Sequence, residues 1–453
     1  MKRTIKDACE IFWGVEKKYH LLDLDIQDVK IWSVIRFRLY RQLTERAGWQ
    51  EQGHSKNTRL QILKKIPSYL INSFTQNPFF RKKVDVIVLS HPRPKLVNGE
   101  VIDIYTKYLI DDLKESNINV LELELDYLGR HDKNLKEHVS YTDFISLITT
   151  IFKTCFYIQF SEKEKILIRD VNSELSKEFC FDVDIQHLLL DQIRDFKVKA
   201  YIYKKLFFKL CPKVLYICPS YGNSAIISAA KQLDIQVIEL QHGTINKYHL
   251  GYSYPERIEK LEYFPDKFLV WSEYWKKHSS LPLDKEDIVI RKFDYLEHSK
   301  LMYLNCNKKP QIIILSQGNI GNQLAKAVLD NMQLFKGLQI KYKLHPGEFD
   351  RYKGYKFLNK LIKTYPYIEV IEDVDLHMLL AESTYQLGVN STGLFEGLEF
   401  NCQTILVDMP GIEYMEDIIE SYELKKSGSL YLSEDVKREL MRSCQLNIKS
   451  VDD

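Results

Sequence analysis

Residues 311–330 read QIIILSQGNIGNQLAKAVLD. A short β-branched run ends in a small polar loop, and apolar residues then recur at helical spacing. That is a strand, a turn and a helix. The unit repeats. LQIKYKLHP (338–346) leads into FLNKLIKTYP (357–366), and IEVIED (368–373) into DLHMLLAES (375–383). YQLGVN (385–390) leads into STGLFEGLEFN (391–401), and CQTILVDMP (402–410) closes the series. Strict alternation of strand and helix, with strands apolar throughout, predicts a parallel sheet wound on both faces.

The first half shows the same logic. VDVIVLS (84–90), DIYTKYLIDDLKES (103–116) and INVLELEL (118–125) form a strand–helix–strand unit. KVLYICPS (213–220), NSAIISAAKQLD (223–234) and IQVIELQHG (235–243) form another. Residues 140–210 read as mainly helical, and HPRPKLVNGEV (91–101) as a loop. The chain turns polar near residue 300 (LNCNKKP). The expected architecture is α/β: two Rossmann-like doubly wound domains facing a cleft, behind an N-terminal helical segment. The expected boundaries are 1–83, 84–300 and 301–453.

The first segment has its own chemistry. DVKIWSVIRFRLYRQLTERAG (28–48) spaces its apolar residues as a helix does. From Gln52 to Val84 there is no acidic residue, while Lys56, Arg59, Lys64, Lys65, Arg81, Lys82 and Lys83 alternate with aliphatic and aromatic side chains. A basic, aromatic-rich amphipathic stretch suits an anionic membrane surface. The alternative is a helix packed on the next domain with its basic face in water.

Composition narrows the rest. The 453 residues are 45% hydrophobic and 28% charged, with a formal charge of +2. That balance gives no global field for a polyanion, so no nucleic-acid partner is expected. No apolar run approaches the roughly 18 residues of a membrane span. The N-terminus lacks the features of a signal peptide. Eight scattered cysteines form no CxxC pair. They point to a reducing compartment, the cytoplasm, with peripheral attachment at the inner membrane through the basic segment.

In doubly wound sheets ligands bind beyond the carboxyl ends of the strands, so the loops after strands carry the chemistry. Gln317 and Gly318 follow the first strand of the second half, where glycine lets backbone approach a phosphate. His345 and Pro346 follow the next strand, and the imidazole there can donate to a phosphate oxygen. Ser391, Thr392 and Gly393 open a helix whose N-terminus forms an anion site. Glu396 in its first turns either supports the helix or grips a sugar hydroxyl. Asp373 and Asp375 have the DxD spacing of some metal-dependent enzymes. They directly precede a helix, where carboxylates complement the dipole, so no metal ligand is expected.

In the first half, Ser220 and Asn223 lie at a strand–helix junction, and Gln241, His242 and Gly243 directly follow an apolar strand that contains Glu239. Arg93, Glu100 and Asp103 follow the first strand. A base for an acceptor hydroxyl has three candidates here, Glu100, Asp103 and His242. Each has an equally ordinary reading as a cap or turn residue.

In this order the motifs QHG (241–243), HP (345–346) and STGLFEGL (391–398) resemble those of GT-B-type glycosyltransferases of bacterial capsule and lipopolysaccharide synthesis. Kdo- and sialyltransferase-like enzymes and CDP-glycerol glycerophosphotransferases are among these relatives. FPDKFLVWSEYWKKH (264–278) and LLAESTYQLGVNSTGLFEGLEFNCQTILVD (379–408) carry much of the likeness, which spans roughly residues 84–425. The resemblance implies that His345, Pro346, Ser391 and Thr392 hold the donor's nucleotide phosphate. It implies a catalytic part for His242 and Gly243. The acidic base motif of the sialyltransferase-like members is absent, NGE (98–100) being the nearest match. The implied activity is metal-independent transfer of a sugar from a CMP-, CDP- or UDP-linked donor, used as substrate and not as cofactor. The implied acceptor is a surface polysaccharide or lipid-linked glycan. A CDP-polyol phosphotransferase, a sugar-nucleotide 2-epimerase and a non-catalytic scaffold of polysaccharide assembly are the alternatives.

Overall fold

The computed structural model describes residues 4–49, 59–92, 94–97, 99–126, 131, 138–255, 260–318 and 320–449, with the side chains of 59–65 and 443–449 left aside. Arg93, Asn98 and Lys56 fall outside the described residues, as do the side chains of Arg59, Lys64 and Lys65. The chain forms two compact units. One comprises residues 8–43 and 56–295; the other comprises 1–7, 44–55 and 296–453.

The first unit, here the N-terminal unit, contains β1 (Val86–Leu89), β2 (Lys95–Val97), β3 (Glu100–Ile102), β4 (Val120–Glu124), β5 (Val139–Tyr141), β6 (Val214–Ile217), β7 (Gln236–Leu240), β8 (Lys267–Val270) and β9 (Ile288–Ile290). Seven of these form a wholly parallel sheet in the order β5-β4-β1-β6-β7-β8-β9. Every residue of β1 is buried, which explains its unbroken apolar run: helices cover both faces. The stretch after β1 is more than a loop. β2 and β3 form an antiparallel hairpin whose turn has Gly99 at φ +83°, a conformation glycine adopts without strain.

The second, C-terminal unit contains β10 (Lys309–Leu315), β11 (Gln339–Lys343), β12 (Glu369–Ile371), β13 (Ser383–Gly388), β14 (Gln403–Val407), β15 (Lys425–Ser427) and β16 (Leu430–Leu432). Its sheet runs β12-β11-β10-β13-β14-β16-β15, with the last two strands antiparallel. Ile312, Ile314, Leu324, Leu358 and Leu387 are among the residues of its core. Both sheets begin at the first strand, wind outward, then reverse on its other side. This is the doubly wound order that the alternation predicts.

The N-terminal helices do not stand apart from the first sheet's unit. The helices Ile5–Tyr19 and Ile31–Arg46 meet at a buried ion pair. Arg36 Nε donates to Glu16 Oε1 at 2.5 Å, and both residues are buried. The guanidinium also donates to the carbonyls of Leu250 and Ser253 and lies over the Tyr254 ring. Trp32 Nε1 donates to the same carboxylate at 2.8 Å.

The helix Arg59–Thr75 turns its polar residues inward: Asn72 donates to Asp143, and Ser73 is buried. Ile66, Leu70, Ile71 and Phe74 are exposed, as is Phe80 beyond the helix. Arg81 donates to Ser140 Oγ and the Val139 carbonyl, so its charge serves the β5 edge. Among the described residues no helix is long and apolar enough to cross a membrane.

Candidate functional site

The winding of the second sheet reverses between β10 and β13, so the loops after those strands lie at its switch point. They meet there: Gln317 Nε2 donates to Asn390 Oδ1. Gln317 Oε1 is buried and meets no donor among the described residues. Ser391 caps the helix Thr392–Glu399, its Oγ accepting from the Gly393 N–H at 3.2 Å. Thr392 is half-buried at the first helical position, whose N–H has no intrahelical acceptor.

His345 reaches the same loop from the end of β11. A Cβ at Gly318 would stand 3.3 Å from His345 Nδ1 and 3.5 Å from Arg351 Nη2. His345 Nδ1 accepts from the Gly347 N–H at 3.0 Å. That leaves the ring proton on Nε2, so the neutral imidazole presents a donor. Pro346 begins the short turn Pro346–Glu348 and is exposed. The structure thus gathers Gln317, Gly318, His345, Asn390, Ser391, Thr392 and the unanticipated Arg351 around one sheet end.

Glu348 organises this cluster from beneath. It is 0% exposed, and its carboxylate accepts from the His345 N–H at 2.8 Å and the Ser316 hydroxyl at 3.0 Å. Burial pushes its pKa above the usual carboxylate range. Gly321 is glycine because Glu348 fills the space a side chain would need. The place of this glycine, three residues after Gly318, is set by the carboxylate.

Glu396 is not part of the group. Its carboxylate lies 3.1 Å from Nε2 of the buried His377, joining two helices. Asp375 acts as an N-cap: Oδ1 accepts from the His377 N–H at 3.2 Å, and Oδ2 from the Tyr303 hydroxyl at 2.7 Å.

The first sheet reverses between β1 and β6. His91 follows β1, Ser220 and Asn223 follow β6, and His242 follows β7. Half-buried His242 is surrounded by aromatic rings. Its centroid is 5.3 Å from His91, 5.7 Å from Tyr221 and 6.0 Å from Tyr105. The Tyr221 hydroxyl is 3.0 Å from His242 Nε2, and the Tyr252 hydroxyl 3.3 Å from Nδ1. Phe37, from the N-terminal helix, packs 4.7 Å from Tyr221 and 5.2 Å from His249.

Behind them is Glu239, which the sequence places in the strand before Gln241 without a role; its signal is a carboxylate inside an apolar run. It is 0% exposed, accepts from the Ser220 N–H at 2.9 Å and from the Tyr252 hydroxyl, and burial pushes its pKa up to about 7. Buried Gln241 braces the loop: it donates to the Gly243 carbonyl at 2.8 Å and accepts from the Trp271 N–H at 2.9 Å. Asn223 donates to the Pro219 carbonyl at 2.9 Å. Asp103 accepts from the His91 N–H, the Tyr105 N–H and the Thr106 hydroxyl at 2.6–3.0 Å, and burial raises its pKa to about 6. Glu100 is exposed on β3 and lines a cavity with His91, Asp103, Glu122 and His138.

No family model and no curated protein matches the sequence. Solved structures show a distant likeness. A UDP-GlcNAc 2-epimerase from Neisseria meningitidis, bound to UDP-GlcNAc, is 12% identical over 81% of this chain and 92% of its own, with a TM-score of 0.45. The UDP-GlcNAc 2-epimerase from Methanocaldococcus jannaschii is 13% identical over 80% and 92%, at 0.42. MurG from Acinetobacter baumannii is 9% identical over 76% and 84%, at 0.41. At this level the likeness carries no argument about substrate or reaction.

Proposed function

We propose that the chain is a metal-independent transferase that moves a sugar from a nucleotide-sugar donor to a glycan acceptor. The observation that carries this reading is the switch point of the C-terminal unit. There a helix N-terminus capped by Ser391 and a neutral imidazole with its proton on Nε2 are drawn to one loop through Gly318 and the Gln317–Asn390 bond. Both favour negative charge, and Arg351 adds a cation nearby. As the nucleotide departs, charge grows on its phosphate, and these donors stabilise it. Asp375 is committed to its cap and to Tyr303, which supports charge neutralisation by these groups.

The N-terminal unit binds the acceptor and supplies the base. Of the three candidates His242 is preferred. Asp103 is held by three donors that fix the loop after β1, and Glu100 sits exposed on a hairpin.

Adding UDP, CDP or CMP to the full chain is expected to raise its melting temperature with at least one of them. His345→Ala and the double change Ser391→Ala/Thr392→Ala should each weaken that nucleotide's binding roughly 10- to 100-fold, since each removes a charge-assisted hydrogen bond. No shift with any nucleotide would sink the transferase reading. Turnover with the binding donor separates the chemistries: nucleotide release marks transfer, and sugar interconversion without release marks an epimerase.

The exposed face Ile66, Leu70, Ile71 and Phe74, with Phe80, Lys82 and Lys83 beside it, supports docking on an anionic membrane. The chain should sediment with phosphatidylglycerol-containing vesicles and far less with pure phosphatidylcholine. Ile71→Ser/Phe74→Ser should cut that binding by about 100-fold or more, at about 1.5–3 kcal/mol for each buried side chain. Equal sedimentation of wild type and variant would remove this face from the account.

A further inference from the structure

Four side chains of the N-terminal unit form one hydrogen-bonded line from half-buried Tyr221 to Glu239. Tyr221 meets His242 Nε2, Tyr252 meets His242 Nδ1, and Tyr252 donates to Glu239 Oε1. The inner end sets the direction. Glu239 Oε1 accepts from the Ser220 N–H and from the Tyr252 hydroxyl, so Tyr252 gives Glu239 its single proton. The Tyr252 oxygen is then the acceptor for His242, which places the ring proton on Nδ1. Nε2 is left as an acceptor, and the Tyr221 hydroxyl is its donor.

The geometry also shows which group faces outward. Tyrosine hydroxyls occupy both ring nitrogens; Tyr252 is buried and Tyr221 half-buried, so Tyr221 is the end of the line that an acceptor hydroxyl can reach. At the other end, Glu239 Oε2 is buried and has no hydrogen-bond partner among the described residues. A buried carboxylate with one oxygen unsatisfied is costly, and a positive charge arising on His242 offsets that cost.

We propose that Tyr221, His242, Tyr252 and Glu239 act as one proton wire for the transfer, with Tyr221 receiving the acceptor's proton and Glu239 as the positioning residue at the buried end. This rests on the reading of His242 as the base. The acceptor oxygen bonds to the donor's anomeric carbon with its own electron pair. The bond from that carbon to the phosphate oxygen breaks, and its pair leaves with the nucleotide. The acceptor's proton passes to the Tyr221 oxygen, whose original proton moves to His242 Nε2. The resulting imidazolium keeps Nδ1–H on Tyr252, and Tyr252 keeps its proton on Glu239. The carboxylate thus holds the tautomer and stabilises the cation without being consumed.

The test has two arms. In the full chain labelled with 15N-histidine, the His242 signals are those lost in His242→Gln. Wild type should show Nδ1 protonated and Nε2 bare, and Tyr252→Phe should move proton population to Nε2. An Nε2–H tautomer in wild type, or an unchanged tautomer in Tyr252→Phe, overturns the wire whatever the enzyme does. In turnover with the donor that binds, Glu239→Gln and Tyr252→Phe should lower kcat on the order of 10- to 100-fold and leave the donor KM unchanged. Unchanged kcat in both overturns the catalytic role. A chain that binds no nucleotide overturns the transferase reading instead, and the tautomer still decides the wire.

Discussion

Gly321→Ala is expected to destabilise the C-terminal unit by about 3 kcal/mol, the upper end of ordinary overpacking, and to cost nucleotide binding as well. The added Cβ would overlap Glu348 Oε1 and stand 2.9 Å from the Tyr355 ring. Glu348 cannot retreat. It is fully buried, and moving it would release both the Ser316 hydroxyl and the His345 N–H. The melting transition should fall by roughly 6–12 °C. Gly321→Ala/Glu348→Ala removes the overlap, so its cost should be well below the sum of the two single changes. If Gly321→Ala melts with wild type, or the pair is additive, Glu348 does not organise the loop.

Arg36→Leu should cost the N-terminal unit more, on the order of 3–5 kcal/mol. The change leaves the Glu16 carboxylate buried without its cation, and it strips donors from the Leu250 and Ser253 carbonyls. Pairing it with Glu16→Leu should recover part of the loss, because the orphaned charge is then gone. Chemical denaturation reads both. A single variant within about 1 kcal/mol of wild type would show that the pair does little. The loop tied down by Arg36 carries Tyr252, so the single variant should also disturb the His242 tautomer.

The winding of both sheets is legible in the sequence because parallel strands are buried on both faces and read as continuous apolar runs. The β2–β3 hairpin is harder to see because its strands are three residues each; its signal is the Asn98-Gly99 pair. At the C-terminal switch point, Gln317, Gly318, His345, Ser391 and Thr392 are all legible, since each directly follows a strand. Arg351 and Glu348 are not, because only the folded loop brings Arg351 to Gly318 and the Glu348 carboxylate to the His345 N–H. Glu396 shows the same limit: its position in the helix is as expected, but its partner His377 comes from another helix. Arg36 looks like one of several basic residues on a wet face. Its spacing with Trp32 and Tyr40 is the clue that it points inward.

Arg36 also bears on how the chain assembles. The carbonyls it binds come 214 and 217 residues after it. A ribosome adding roughly 5–20 residues per second needs on the order of 10–40 s to cover that span. Through that interval the first helices can pair through Glu16 and Arg36, but the guanidinium lacks the two carbonyls that complete its burial. The earliest helices of the N-terminal unit are therefore seated in full only after residue 253 has been made.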